Sequence, residues 1–319
     1  MMTDTWTWAT VTQASPLRIK VDGDTSALDA TTDNLVGSLA VSDRVRVHLH
    51  ADGIIVTGIQ GGGNRSNPNL LYNSTFMVNQ QGYGTGGYVN AGDYGFDGWK
   101  ATTTSRMYFS PQAQTVQVAI IGSFAQVVER SKIWPDDPHT LSWTGDAQAR
   151  VFNSGGTAPA YASSPITVTL DGAADVLVEF DDGTLKWPKF ERGAIATPYA
   201  LPNYADDLRE CMRYFQVILD FSAGAYYPAS YFTSAEVYAF IPLPVKMRAT
   251  PTIVATTGTN YYVVLRDSGL DYFTTFENGG SNTTQVSLKN NTEAAGTGGQ
   301  AGQLKAFSSG ARVTADARL

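Results

Sequence analysis

The stretch RVRVHLHADGIIVTGI, Arg44–Ile59, decides the fold class of the first part of the chain. Valine and leucine alternate there with arginine and histidine, which is the period of two expected for a strand with one buried face. The Asp-Gly pair in the middle favours a tight hairpin turn, and an apolar return strand follows it. Residues 17–21 repeat the alternation. Several short strands in so short a segment predict a small β-barrel, of the OB or SH3-like kind, over residues 1–60.

Composition extends the β prediction to the whole chain. The 319 residues include 31 glycines and 16 tyrosines, and only 16% are charged, which favours an all-β fold with long turns. The formal charge of -7 argues against nucleic acid as a partner, since phosphate contacts need clustered lysine and arginine. A single cysteine excludes an internal disulfide. The first residues do not resemble a signal peptide, and no apolar run is long enough for a membrane span, so we expect synthesis in a cytoplasm and no membrane insertion.

The remaining domain boundaries follow from changes in composition. Residues 61–68 begin with three glycines and contain no large apolar residue, which predicts a flexible linker. Residues 69–199 hold several β-like runs separated by turn residues, at a spacing that predicts a β-sandwich of about eight strands. A short connecting helix is expected at residues 203–216. The Tyr- and Phe-rich segments of residues 217–319 predict a second β-sandwich.

The connecting helix has a clear start and one apolar face. Asn203 is a suitable N-cap, and two aspartates follow in the first turn, where the helix dipole favours negative charge. The apolar residues at helical spacing are Leu208, Cys211, Met212 and Phe215. Because an isolated helix of this length is marginal in water, the stripe needs a partner surface. That partner is either the neighbouring domain or the same helix of other subunits.

Five motifs occur in order along the second part of the chain. They read Asn-Leu-Leu-x-Asn-x-x-Phe from Asn69, Phe-Asp-Gly-Trp from Phe96, Phe-Glu-x-Gly-x-x-x-Thr-Pro-Tyr from Phe190, Leu-x-x-Cys-x-Arg-Tyr-Phe-Gln from Leu208, and Met-Arg-Ala-Thr-Pro from Met247. The last three resemble the minor tail and tail-fibre proteins of bacteriophages. The first two resemble the start of the galactose-binding-like, carbohydrate-binding jelly roll in those proteins. The resemblance covers about residues 69–319, and residues 1–60 are interpreted as an attachment module from their position.

This resemblance implies a receptor-binding protein of the virion tail, made in the host cytoplasm and assembled with other phage tail or baseplate proteins. It implies a jelly roll at residues 69–199, a tip domain at residues 217–319, and host adsorption through a cell-surface polysaccharide. Because phage fibres usually close as threefold assemblies, it also implies a homotrimer with the helix stripe as its oligomer interface. Two other classes stay open, a glycan-degrading tail enzyme and a purely architectural baseplate protein.

Aromatic and polar residues in two regions are the candidate carbohydrate-binding residues. A sugar ring packs its C–H face on tyrosine or tryptophan, while amide and carboxylate groups satisfy its hydroxyls. The candidates are Tyr83, Tyr88, Asp93, Tyr94 and Trp99 in the central region, and Tyr226, Tyr227, Tyr231 and Tyr272 in the terminal region. Trp99 is open between core and site, because its position begins a core strand in the family that the chain resembles. With the N-terminus attached to the particle, we expect first contact with the cell in the terminal region.

No catalytic residue and no metal site is predicted. Cys211 lies on the apolar stripe, which fits a core cysteine rather than a nucleophile. Adjacent aspartates lie in turns, where carboxylates are solvated rather than paired for glycoside hydrolysis. His48 and His50 share a strand face with two arginines that would repel a cation. The resemblance to carbohydrate-binding jelly rolls allows a structural Ca²⁺, for which Asp93, Asp97 and the Asp181-Asp182 turn offer oxygen ligands. No other cofactor is expected.

Overall fold

The computed structural model describes residues 5–14, 17–27, 32–34, 43–50, 53–59, 66–109, 117–267 and 269–319. The chain forms two compact units, one of residues 1–68 with 195–200 and one of residues 69–194 with 201–319. The described residues form 24 strands, one α-helix and two 3-10 turns, which confirms the all-β prediction. Most of the predicted linker, residues 61–65, lies outside the described residues. Within those residues no helix is long and apolar enough to cross a membrane.

The first unit contains a five-stranded sheet built from alternating residues. Its strands are β1 (Thr5–Ala14), β2 (Leu17–Val21), β3 (Thr32–Asn34), β4 (Arg44–His50) and β5 (Gly53–Ile59). They lie in the order β2-β1-β4-β5-β3, and β3 pairs with β5 in parallel while the other pairs are antiparallel. Val45 and Val47 are fully buried in one apolar cluster. The hairpin predicted from the sequence is therefore present, with its valines facing the core.

Residues 69–194, here called the central sandwich, form two antiparallel sheets around one core. The strands are β6 (Lys100–Ala101), β7 (Arg106–Phe109), β8 (Val118–Ile121), β9 (Phe124–Val128), β10 (Pro138–Thr144), β11 (Ala149–Asn153), β12 (Ile166–Thr169), β13 (Val176–Phe180) and β14 (Gly183–Arg192). One sheet has the order β12-β10-β14-β8-β7 and the other β11-β13-β9-β6. Inward side chains of both sheets, such as Leu141 and Val178, meet in a single buried cluster. This arrangement is the predicted β-sandwich.

Helix α1 (Tyr204–Met212) begins where the sequence predicts. The Asn203 side chain accepts a hydrogen bond from the Ala205 N–H, and Asp206 and Asp207 stand in the first turn. The buried Asp207 also accepts a hydrogen bond of 2.6 Å from the Asn73 N–H of the central sandwich. Both the local cap and this tertiary contact therefore fix the start of the helix.

The apolar face of α1 packs on the central sandwich of the same chain. Cys211 and Tyr214 form a buried cluster with Tyr72 and Val78, and the Tyr72 and Tyr214 rings stack at 4.6 Å. Burial raises the pKa of the Cys211 thiol well above its usual value, so the group stays protonated, as expected of a core cysteine. Of the two partners considered for the stripe, the structure shows the neighbouring domain. The homotrimer stays a prediction, but Cys211 is buried and is not exposed for contact with another subunit.

Phe215 was predicted to continue the helix stripe, and this part of the prediction is wrong. The helix ends at Met212, and Phe215 is the first residue of a strand. Its side chain is buried and covered by the Arg318 guanidinium, which lies 4.4 Å from the ring centroid. The following residues, Val217 to Leu219, are apolar and largely β-branched, and they gain backbone pairing with a later strand. Sheet pairing therefore ends the helix at Met212, about one turn earlier than the spacing of the apolar residues predicts.

Residues 213–319, here called the terminal sandwich, again form two sheets. The strands are β15 (Phe215–Asp220), β16 (Tyr227–Thr233), β17 (Glu236–Pro242), β18 (Thr252–Ala255), β19 (Tyr262–Arg266), β20 (Gly269–Phe273), β21 (Glu277–Asn278), β22 (Gln285–Asn290), β23 (Ala301–Ala306) and β24 (Arg312–Asp316). The small sheet has the order β15-β24-β18, and the large sheet has the order β20-β19-β23-β16-β17-β22-β21. The core lies between them, so one face of the large sheet points away from the core.

Candidate functional site

The outer face of the large sheet carries the exposed aromatic residues of the terminal sandwich. On β19, Tyr262 and Val264 are buried in the core cluster, so the alternation of a strand places Val263 on the outer face. Val263 pairs with Tyr272 on one side and with Lys305 on the other. Three neighbouring strands therefore place these side chains in one row across the sheet.

An aromatic platform forms around Lys305 at this row. It consists of Tyr226, Tyr272 and Phe307, whose side chains are 51%, 36% and 37% exposed. The Tyr272 and Phe307 rings meet edge to face at 5.1 Å. The Lys305 Nζ lies 5.2 Å from the Tyr226 ring centroid and 5.7 Å from that of Phe307. Large aromatic surfaces that stay in contact with water beside a cation are typical of a binding surface rather than of a core.

A groove of about 630 Å³ lies beside the platform and shares Tyr226 with it. Its sides come from β16 and β19, and β23 runs between them. The lining residues are Tyr226, Tyr227, Pro228, Leu265, Arg266, Asp267, Ala301, Gly302 and Gln303. Gly302 has no room for a side chain, because a Cβ there would lie 2.5 Å from Val264 Cγ1. Aromatic, amide and carboxylate groups therefore line a single open depression.

Tyr227 lines the groove, whereas Tyr231 does not contribute to the outer face. Tyr227 is half-buried and packs against the core cluster of the terminal sandwich. Tyr231 is buried, and its hydroxyl donates a 2.7 Å hydrogen bond to Asp271 Oδ2. Alternation along β16 turns Tyr231 inward, so its prediction as a sugar-stacking residue is wrong. Of the terminal candidates, Tyr226 and Tyr272 are the exposed pair.

The central candidates are mostly used by the fold itself. Trp99 is 0% exposed and its Nε1–H donates a 3.0 Å hydrogen bond to the Asn73 carbonyl, which places it in the core. The Tyr83 hydroxyl donates to the Gly87 carbonyl at 2.7 Å and accepts from the Met107 N–H. The Tyr94 hydroxyl donates to the Leu319 carbonyl, while Arg318 lies 4.0 Å from its ring centroid. These three rings hold the loop in place and are not open platforms.

Tyr88 and Asp93 are the exposed members of the central set. Tyr88 is 73% exposed, and Arg106 lies over its ring at 5.0 Å while donating to its hydroxyl at 3.2 Å. Asp93 accepts a 3.2 Å hydrogen bond from the Asn90 side chain. Tyr108 is 43% exposed and lies 5.3 Å from the same arginine. Two tyrosines and one arginine therefore form this surface, one ring fewer than in the platform of the terminal sandwich.

Sequence reasoning missed a second exposed aromatic row on the same outer face. The row consists of Phe232 on β16 and of Tyr238 and Phe240 on β17. The Tyr238 and Phe240 rings are parallel within 4°, and their centroids are 5.9 Å apart. Tyr238 and Phe240 alternate with the buried residues of β17. Aromatic residues at the solvent-side positions of an alternating strand were the available signal. Lys305 and Phe307 could have been found in the same way.

The described residues offer no evident metal centre. No group of three or more histidine, cysteine, aspartate or glutamate side chains there is arranged to hold an ion. Asp97, named as a Ca²⁺ ligand, is buried and accepts hydrogen bonds from Gln80 at 2.6 and 2.8 Å. Burial raises the pKa of this carboxyl above its usual value. His48 stacks on the Trp6 ring at 4.4 Å, and the His50 side chain lies outside the described residues.

Comparisons with known proteins add little to this geometry. No family model matches the chain, and no curated protein matches it in sequence. Among solved structures it is similar to the N-terminal CBM22-1-CBM22-2 tandem domain from Paenibacillus barcinonensis Xyn10C, with 9% identity and a TM-score of 0.27. The match covers 80% of this chain and 97% of that chain.

Proposed function

We propose that the protein is a bacteriophage tail protein that binds a host cell-surface glycan through the aromatic platform of its terminal sandwich. The observation that carries the glycan part is the cluster of Tyr226, Tyr272 and Phe307, three exposed rings beside a groove that contains amide and carboxylate groups. Flat rings stack on sugar C–H faces, and the amide and charged groups of the groove can satisfy sugar hydroxyls. The motifs that resemble tail proteins support the virion part.

The platform favours binding without cleavage. Glycoside hydrolysis needs two carboxyl groups placed on either side of the scissile bond. Among the residues that line the groove, Asp267 is the one carboxylate, and its Oδ1 accepts a 2.6 Å hydrogen bond from Gln300. The nearby Asp271 is buried and bonded to Tyr231. These contacts support a receptor-binding role over a glycan-degrading one.

The function is tested with cell wall purified from the host. We expect the protein to co-sediment with this wall and to release no reducing sugar during a long incubation. Cell wall of a strain that the phage does not adsorb to is the matched control and should leave the protein in the supernatant. Release of oligosaccharide would assign the glycan-degrading function instead. Binding to neither wall would favour an architectural role.

The exposed face of the first unit suits attachment to another virion protein. The cross-strand pairs Trp6–His48 and Trp8–Arg46 lie side by side on β1 and β4. Trp6 stacks on His48, and the Arg46 guanidinium lies 5.0 Å from its ring centroid. Both tryptophans are exposed, and exposed tryptophan and arginine are enriched at the centres of protein interfaces. The attachment role of residues 1–60 therefore rests on this face.

Replacing Trp6 and Trp8 together by alanine should prevent incorporation into virions. Two central aromatic anchors contribute roughly 2 kcal/mol or more each to a typical interface, so binding to the particle should fall by more than a hundredfold. Immunoblots of purified particles measure incorporation. The exposed Lys20 on the adjacent strand β2 provides the control variant, Lys20→Ala, which should assemble normally. Normal assembly of the Trp6→Ala/Trp8→Ala variant would place attachment elsewhere on the chain.

A further inference from the structure

The cation at the centre of the aromatic platform has no acidic partner in the described structure. The Lys305 Nζ contacts the Tyr226 hydroxyl at 3.4 Å and the rings of Tyr226 and Phe307. None of the ion pairs of the described residues includes Lys305. A lysine on aromatic faces gains some attraction from the rings but keeps its full charge. The platform therefore presents an ammonium group that is available to a ligand.

Arg266 is at the edge of the groove, but its guanidinium lies on the inner side of the sheet, as alternation with Val263 and Leu265 on β19 requires. The Arg266 guanidinium donates to the Ala295 carbonyl at 2.5 Å and lies 5.4 Å from the Tyr231 ring centroid. Its Nε is buried without an acceptor in the described part of the chain. Asp267 lines the same groove, and its carboxylate is already bonded to Gln300. Lys305 is therefore the cation that the platform presents to a carboxylate or a phosphate of a ligand.

The local charge around the platform differs from that of the whole protein. The chain carries a formal charge of -7, yet Asp267 is the one carboxylate among the residues of the platform and groove, and it already accepts a hydrogen bond from Gln300. At physiological ionic strength, exposed charges farther away than about 8 Å are largely screened. A ligand on the platform therefore experiences the nearby Lys305 ammonium more strongly than the acidic remainder of the protein.

From these contacts we infer that the glycan bound by the platform is acidic. This inference rests on the proposed function and names the ligand class of the same site. A sugar ring stacks on Tyr226 and Tyr272, and a negatively charged substituent of the glycan pairs with Lys305. The substituent is a carboxylate, as in a uronic acid, or a phosphodiester, as in a phosphate-linked wall polymer. Both present oxygens that accept charge-assisted hydrogen bonds from an ammonium or a guanidinium.

Lys305 also covers an apolar side chain, so a test of its charge must keep this packing contact. Its aliphatic stem lies next to Val263, which is only 1% exposed although it is on the outer face. Long lysine stems often cover apolar surface in this way. Lys305→Gln keeps most of the stem and removes the charge, whereas Lys305→Arg keeps the charge. Lys289, on the outer face of β22 opposite Tyr238, provides the matched control variant Lys289→Gln away from the platform.

The experiment compares three preparations of host cell wall. One is untreated, one has its carboxyl groups reduced to alcohols, and one has its phosphodiesters removed with hydrofluoric acid. We expect at least one treatment to lower the affinity of the unaltered protein about tenfold or more, and the effective treatment identifies the anionic group. On untreated wall, the affinity of Lys305→Gln should fall by a similar factor. On wall that has received the effective treatment, Lys305→Gln and the unaltered protein should have nearly the same affinity. Lys305→Arg and Lys289→Gln should bind like the unaltered protein.

Three results would overturn the inference, and they differ from failure of the proposed function. The inference is wrong if neither treatment weakens binding of the unaltered protein. It is also wrong if Lys305→Gln binds untreated wall normally, or if its affinity falls by the same factor on all three walls. In each of these cases the proposed function still stands, provided that loss of Tyr226 and Tyr272 abolishes binding. If the unaltered protein does not bind untreated wall, the proposed function fails and the inference fails with it.

Discussion

Replacing Tyr226 and Tyr272 together by alanine is expected to lower glycan affinity by roughly 30- to 1000-fold. Each exposed ring that becomes covered by a sugar contributes about 1–2 kcal/mol, and the two rings lie on one platform. Isothermal titration with host wall polysaccharide measures the change at a single site. In adsorption assays on whole cells the loss should be larger, because several copies of the site act together on one particle.

The control for this variant is Tyr88→Ala, which removes the most exposed tyrosine of the central set. We expect Tyr88→Ala to change affinity by less than about threefold, since Tyr88 and its neighbour Tyr108 belong to the central sandwich and not to the platform or its groove. Both variants should keep the melting temperature of the unaltered protein, because surface substitutions rarely shift stability by more than about 0.5 kcal/mol. If Tyr88→Ala abolished binding and the Tyr226→Ala/Tyr272→Ala variant did not, the receptor site would belong to the central sandwich.

Trp99→Ala should destabilise the protein by about 3–5 kcal/mol, the range typical of a large aromatic residue removed from a core. The Trp99 ring packs 4.9 Å from Phe76 and 5.9 Å from Phe180. Its loss also leaves the buried Asn73 carbonyl without the indole donor. Domains are typically stable by only about 5–15 kcal/mol, so a large drop in the midpoint of urea unfolding is expected.

Trp134 supplies the matched control of the same residue type. It is exposed, and Arg192 lies over its ring at 4.9 Å. Trp134→Ala should cost less than about 1 kcal/mol, because little buried surface and one cation–π contact are lost. If Trp99→Ala kept the stability of the unaltered protein but no longer bound glycan, Trp99 would belong to the binding site.

The sequence predicted those features that depend on neighbours along the chain. The alternation of Arg44–Ile59 gave the first hairpin, because the side chains of a strand have a fixed period of two. Asn203 and the two aspartates after it gave the start of the helix, because a cap acts on the next few N–H groups. The end of the helix was missed, since pairing of Phe215 with Asp316 decides it from a hundred residues away.

The candidate site was predicted less well, because exposure depends on tertiary packing. Tyr226 and Tyr231 have similar sequence surroundings, yet Tyr231 faces inward to Asp271 and Tyr226 faces water. Tyr94 is closed by Leu319 and Arg318, which are more than two hundred positions later in the chain. No local pattern carries that information. The bias towards aromatic residues was correct, but only the sheet order shows which of them share a face.

The middle position of β24 in the small sheet sets an order of events during synthesis. Strands β15 and β18 each pair with β24 and not with each other. Both precede β24 along the chain, so a nascent polypeptide holds two strands without a shared neighbour until residues 312–316 have left the ribosome. Chains are made at about 5–20 residues per second, and unpaired strand edges in incomplete domains are prone to aggregate. The terminal sandwich is therefore expected to depend on chaperones until β24 is made, and a ribosome stalled before β24 would expose both edges.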